Sequence, residues 1–173
     1  MPPRMTNPLL VVPDALERMV GVQKDINKMG VPLKTLVLVH LRVSQINKRS
    51  VVIPKNAEER ERALEKDDRH LFVSNWREAT CFTDPERAAM ALAEAVTRIS
   101  ESDDPVPDEV WDEAARHFNE EELASIVMLI GLVNMWNRIN VATRQDAVDW
   151  RVPPYAWKPM TSRRSPAGAG VGQ

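Results

Sequence analysis

Residues 126–136 read IVMLIGLVNMW, a run that is apolar on nearly every side when wound as a helix. A run of this kind belongs to a core helix or a subunit interface. At eleven residues it is too short to cross a bilayer, which takes about 20. Just upstream, Asn119 and Glu122 make a capping box, so the helix is expected over about Glu120 to Arg144. Before it, the polar linker SESDDPVPD (100–108) leads into a short helix, Glu109 to Phe118. Thr83-Asp84-Pro85-Glu86 is a helix start: a capping side chain, proline in the first turn, and carboxylates at the positive dipole end. An alanine-rich helix, Ala88 to Ile99, follows and lets neighbours approach closely.

Further out the pattern stays helical. Asp14 is the expected N-cap of a helix in which Leu16, Met19, Val20, Val22 and Ile26 recur at helical spacing, closed by Gly30 and Pro32. From Leu33, the residues Leu36, Val37, Val39, Leu41, Val43 and Ile46 make a helix apolar on more than one side. In KRSVVIPKNAEERERALEK (48–66), Pro54 disfavours helix at Ile53, and Asn56 with Glu59 restarts one through Glu65. The Glu/Arg run 58–62 reads as an exposed face. Asp67 to Ala79 is expected to be helical, with Leu71, Phe72 and Trp76 inward. The division is an extended proline-bearing arm (1–13), a helical domain (14–145) and a tail (146–173). In the tail Trp150, Tyr155 and Trp157 are expected to pack, and the SRRSPAGAGVGQ end to be disordered. The fold class is all-α, with six or seven helices.

Composition narrows the function classes. Lys plus Arg (23) against Asp plus Glu (25) gives a net charge of −2, so no overall basicity points to nucleic acid. The lone cysteine, Cys81, excludes an intramolecular disulfide and any CxxC motif. No His/Cys/Asp/Glu set has metal spacing, and no glycine-rich loop points to a nucleotide, so neither metal nor cofactor is expected. His70 and His117 lie among charged neighbours and read as surface residues. With no secretory signal pattern and no evident membrane span, the expected location is the cytoplasm.

Four blocks resemble, in order, those of the carboxymuconolactone decarboxylase and alkylhydroperoxidase D (AhpD-like) family. They are VHLRVSQIN (39–47), WREATCFTDPERAAMALAEAVTRIS (76–100), VPDEVWDEAARHFNEEEL (106–123) and LVNMWNRINVA (132–142). The resemblance implies an AhpD-like helical bundle that self-associates into trimers or larger rings. It also implies, for redox-active members, Gly-Cys-x-x-Cys after the first block, a histidine four residues on, and an upstream acid. Here the two cysteine positions hold Arg49 and Val52, the histidine position Asn56 and the acidic position Val37. Neither Arg nor Val can attack a peroxide O–O bond, so the thiol relay is missing.

What remains is a set of polar residues in an apolar helix. His40, Ser44 and Asn47 fall at i, i+4 and i+7 on one face, with Arg42 and Gln45 on neighbouring faces. If Arg49 continues that helix, its guanidinium could clamp a carboxylate or enolate. A histidine base beside an anion clamp suits cofactor-independent proton transfer, decarboxylation, cyclisation or elimination on a small organic molecule. The lactone-decarboxylase branch of the family, by resemblance, works without a cofactor. The candidate catalytic residues are therefore His40, Arg49, Ser44 and Asn47. Each also has a structural reading: Ser44 and Asn47 as helix-packing groups, His40 as a satisfied core histidine, Arg49 as a solvated turn residue. Asn134, Asn137 and Arg138 read as fixing helix packing or a subunit interface. Two other functions stay open, a non-catalytic binding or oligomer-assembly homologue and, more weakly, peroxide reduction through Cys81.

Overall fold

The computed structural model describes residues 2–48 and 68–145. Arg49, Val52, Asn56 with its cap, the 58–62 run and the aromatic residues of the tail lie outside the described residues, as does the side chain of His70. Six α-helices are described: α1 (Pro8–Val11), α2 (Pro13–Ile26), α3 (Leu33–Ile46), α4 (Asp84–Thr97), α5 (Asp108–His117) and α6 (Glu120–Thr143). Two 3-10 segments, Asp68–Asn75 and Ile99–Glu101, join them, and no strand occurs among the described residues.

Helices α3, α4 and α6 pack mutually and form the centre. The two-sided apolar pattern of α3 is resolved by two cores. Leu36, Val39 and Val43 enter the main one with Leu92, Ile126, Ile130 and Val133. Leu38 and Leu41 enter a second one with Val73, Trp76, Phe82 and Met90. Gly30, at φ 94°, turns the chain between α2 and α3 in a backbone conformation that side chains resist.

The caps form as the sequence requires. On α6, Asn119 accepts from the Glu122 amide at 3.0 Å, and Glu122 accepts from the Asn119 amide at 2.9 Å. On α4, Thr83 and Glu86 make the same reciprocal pair. Thr83→Ala is expected to cost about 1 kcal/mol. In thermal unfolding that reads as a fall of roughly 2–4 °C, with the activity of the folded protein unchanged.

Four details depart from the sequence reading. Pro8–Val11 is a helical turn inside the segment expected to be extended, because Pro8 sits in the first turn and the Asn7 side chain accepts from the Leu9 amide. Asp14 lies inside the first turn of α2 rather than capping it; Pro13 starts the helix and Val12 precedes it. The 67–79 stretch is 3-10 from Asp68 to Asn75, a winding that puts Val73 and Trp76, three apart, on the buried side and leaves Phe72 46% exposed. Finally, the 24-residue α6 is long and apolar enough to cross a bilayer by length and composition, which the eleven-residue run alone did not show. Its inner side, with Ile126, Leu129, Ile130 and Val133, belongs to the core.

Candidate functional site

The polar line of α3 faces α6, and two hydrogen bonds fix the register between them. Asn47 donates to Asn134 Oδ1 at 2.9 Å, and Asn137 donates to Ser44 Oγ at 3.4 Å. As α3 descends by three residues α6 ascends by three, so the helices run antiparallel. Asn134 also donates to Thr97 on α4 at 3.2 Å, drawing the third central helix into the same ladder. Ser44, Asn134 and Asn137 are buried. These groups satisfy one another, so Ser44 and Asn47 hold helices together. Arg138, grouped with them in the sequence, is instead exposed.

The same register carries His40, one turn before Ser44, to the level of Asn140 and Val141. His40 is only partly exposed, and among the described residues it has no hydrogen-bond partner. Desolvation pushes its pKa from 6.5 down to about 4, so the imidazole is neutral at physiological pH. Asn140 is buried, and its Oδ1 has no hydrogen-bond partner. Among the described residues the amide oxygen of Asn140 is the buried side-chain polar atom without a partner, and the helical register places the neutral His40 near its level. A buried acceptor without a donor costs about 1–3 kcal/mol, which a water or ligand donor would recover.

Arg49 lies outside the described residues, but α3 stops before it. The helix ends at Ile46, Asn47 caps it, and Lys48 takes a left-handed conformation at φ 54°. The premise on which Arg49 shared a face with His40 therefore falls away.

The strongest electrostatic cluster was not among the sequence candidates. Glu94 on α4 is buried and accepts from Arg42 Nε at 2.6 Å, Trp76 Nε1 at 2.9 Å and Arg77 Nη2 at 2.6 Å. Arg42 also donates to Gln45 at 3.1 Å, and the Arg77 guanidinium lies 4.3 Å above the Trp76 ring. Burial alone would raise the Glu94 carboxyl. The hydrogen bonds from Arg77 and Trp76 and the Arg42 guanidinium outweigh it and hold the group below the ordinary carboxylate range. Two turns back on α4, Glu86 accepts from Arg69 at 2.8 Å, while Arg87 donates to the carbonyls of Trp76 and Ala79. The WRE and FTDPER blocks are thus a clamp that ties residues 69–82 to α4. The signal was legible in principle, since a glutamate amid Ala88, Ala89, Leu92 and Ala93 demands a buried cation.

Cys81 lines an open cleft of about 280 Å3 with Phe72, Asn75, Glu78, Ala79 and Thr80. Cys81 is partly exposed, and the Arg69 guanidinium donates to its carbonyl at 3.3 Å. His117 is half-buried and pairs with Glu113 at 3.1 Å. Among the described residues no group of three or more His, Cys, Asp or Glu is placed to hold a metal ion.

No family model matches the sequence. The chain is 28% identical over 132 residues to the uncharacterized protein YdfG of Bacillus subtilis, spanning 76% of this chain and 88% of that one. It is 37% identical over 75 residues to the uncharacterized protein YnjA of Escherichia coli, 43% of this chain and 40% of that one. Its fold is similar to that of a protein of unknown function from Agrobacterium tumefaciens, proposed to be the antioxidant defence protein AhpD. The TM-score is 0.71 at 27% identity, over 85% of this chain and 99% of that one.

Proposed function

We propose that this chain, whose fold is AhpD-like and which lacks the paired cysteines of that family, is a cofactor-independent enzyme that moves a proton on a small organic molecule. His40 is the group that handles the proton, and Asn140 orients the substrate through its free amide oxygen. The reading is supported by the unsatisfied amide oxygen of Asn140 and by the neutral, desolvated His40 that the α3–α6 register places near its level. A base with a pKa of about 4 is weak at neutral pH. A substrate whose anion develops beside the ring raises that pKa, so the imidazole accepts the proton as charge appears and returns it readily. Carboxylates, lactones and other enolisable carbonyl compounds fit this demand. Ser44 and Asn47 serve as positioning residues through their bonds to Asn137 and Asn134.

The test is proton–deuterium exchange in D2O, followed by NMR, on a panel of small lactones and 3-oxo acids. Wild type is expected to exchange one of them above the buffer rate. His40→Gln is expected to lose about 10²-fold or more of that rate with unchanged helicity. No exchange by wild type, or equal exchange by His40→Gln, ends the reading.

A non-catalytic binding or assembly role is favoured by a different observation, the apolar outer face of α6, where Met128 is 53% exposed. Peroxide reduction at Cys81 draws its support from the open cleft beside the thiol. A Cys81→Ser variant that keeps all peroxidase activity would exclude it.

A further inference from the structure

The N-terminal arm returns to the far end of α6. The Arg4 amide donates to the Thr143 carbonyl at 2.9 Å, and Arg4 Nη1 donates to the Ala142 carbonyl at 2.9 Å. In the other direction, the Gln145 side chain donates to the Met5 carbonyl at 2.9 Å. The helix end needs such help for two reasons. Its last turn, Asn140–Thr143, carries no basic side chain to offset the negative end of the dipole. The residue that follows, Arg144, has φ 55° and ψ 40°, the left-handed conformation that glycine usually supplies at a helix end and that a side chain resists. Beyond it the Gln145 amide closes back on the Asn140 carbonyl at 2.9 Å. Gln145 thus holds the arm with its side chain and Asn140 with its backbone. The arm itself has a fixed root and an open tip. Leu9 is buried and the Asn7 side chain caps α1, whereas Arg4 and Met5 are exposed. Hydrogen bonds at an exposed tip open at little cost, so the tip can leave while the root stays.

We propose that Arg4 and Met5 form a strap that fixes the last turn of α6, making Arg4 and Gln145 positioning residues for Asn140. The inference rests on the reading above, in which the amide oxygen of Asn140 orients the substrate. With the strap engaged, the turn is held at both ends: Arg4 on its last two carbonyls, and Gln145 on the carbonyl of Asn140. With the strap released, the left-handed Arg144 relaxes, the Gln145 amide leaves Asn140, and the turn frays. Asn140 is the first residue of that turn, so fraying reaches it. Asn134 and Asn137, bonded to Thr97 and Ser44, stay in place. The hold on the substrate is therefore set by a residue 138 positions away in the chain. His40 sits on α3, so the strap acts on how the substrate is held and not on the proton transfer itself.

Amide hydrogen exchange followed by NMR, on the full chain, tests the strap without reference to activity. Arg4→Ala with Gln145→Ala removes the two side-chain bonds, and the protection of the amides at 144 and 145 is expected to fall about tenfold. The amides of Ile130 and Val133, in the core part of α6, and the urea midpoint are expected to stay unchanged. Arg4→Lys keeps a cation at the helix end and is expected to hold protection near the wild-type level. Adding Arg144→Gly to the double variant supplies the left-handed turn without strain and is expected to recover most of the loss. Unchanged protection in the double variant, or no recovery with Arg144→Gly, overturns the strap. So does a loss spread evenly along α6, which would make the contact part of the global fold. The deuterium-exchange assay above then separates the strap from the enzyme reading. If wild type turns a substrate over, the double variant is expected to raise KM about threefold or more with kcat nearly kept. An unmoved KM overturns the positioning role. If wild type turns none over, the enzyme reading fails and the positioning role with it, while the protection of the last turn still decides the strap.

Discussion

Glu94→Ala is expected to cost about 3–5 kcal/mol, because it strands Arg42, a guanidinium with only 13% of its side chain exposed. The loss arises less from the attraction removed than from a buried charge left with no carboxylate and only the neutral Gln45 to accept from it. Trp76 Nε1, buried in the second core, is orphaned in the same step. Arg77 matters less, since 58% of its side chain reaches solvent and water can replace the carboxylate. Against a typical stability of about 5–15 kcal/mol, this single change brings the domain close to unfolding at 37 °C. Urea titration of wild type, Glu94→Ala and Glu94→Gln measures it, with glutamine falling between because it keeps one acceptor oxygen. Removing both charges, as Arg42→Met with Glu94→Leu, is expected to recover a large part of the loss. A cost below about 1 kcal/mol for Glu94→Ala would mean that the cluster is solvated and not a structural centre. The Glu94 carboxyl is held below its unfolded value, so its contribution is present above that value and fades as pH falls through the lower folded one.

His40 titrates in the opposite chemical sense but with the same pH direction. Its folded pKa of about 4 lies below the ordinary 6.5, so the unfolded chain binds the proton first as pH falls. Stability is full above about pH 6.5, declines between there and pH 4, and levels off below, for a total of about 3 kcal/mol. His40→Gln removes this slope. The difference in unfolding free energy between wild type and the variant is therefore expected to shift by about 3 kcal/mol from pH 7 to pH 4. Parallel curves would show that the ring protonates in the folded protein at its ordinary pKa. The ring would then still be mostly neutral at physiological pH, but without the desolvated character that the structure gives it.

The helices were legible where short-range chemistry specifies them. Thr83 with Glu86 and Asn119 with Glu122 are local reciprocal hydrogen bonds, so their sequence signature is nearly their structure. The 68–75 segment was less legible, because its 3-10 winding goes with the Arg69 contact to Glu86 and is followed by that of Arg77 to Glu94, both remote in sequence. The site divides in the same way. That His40, Ser44 and Asn47 share a face follows from helical spacing alone. That Ser44 and Asn47 are occupied by Asn137 and Asn134, some 90 residues on, depends on the packing of α3 against α6. Glu94 escaped notice because it sits in an alanine-rich helix, and the sequence does not say which of many arginines approaches it. Asn140 was missed for a simpler reason: being unpartnered is a property of the fold.

The asparagines at 134, 137 and 140 create a vernier with more than one setting. Slide α6 by about one turn and Asn47 meets Asn137 while Ser44 meets Asn140, so the two-helix pairing reads almost equally well in the wrong frame. The tie is broken from outside the pair. Thr97 on α4 engages Asn134 at 3.2 Å, and that contact exists in one frame only. Through its bond to Asn134, Thr97 keys the frame in which the register brings His40 near the level of Asn140 instead of one turn away.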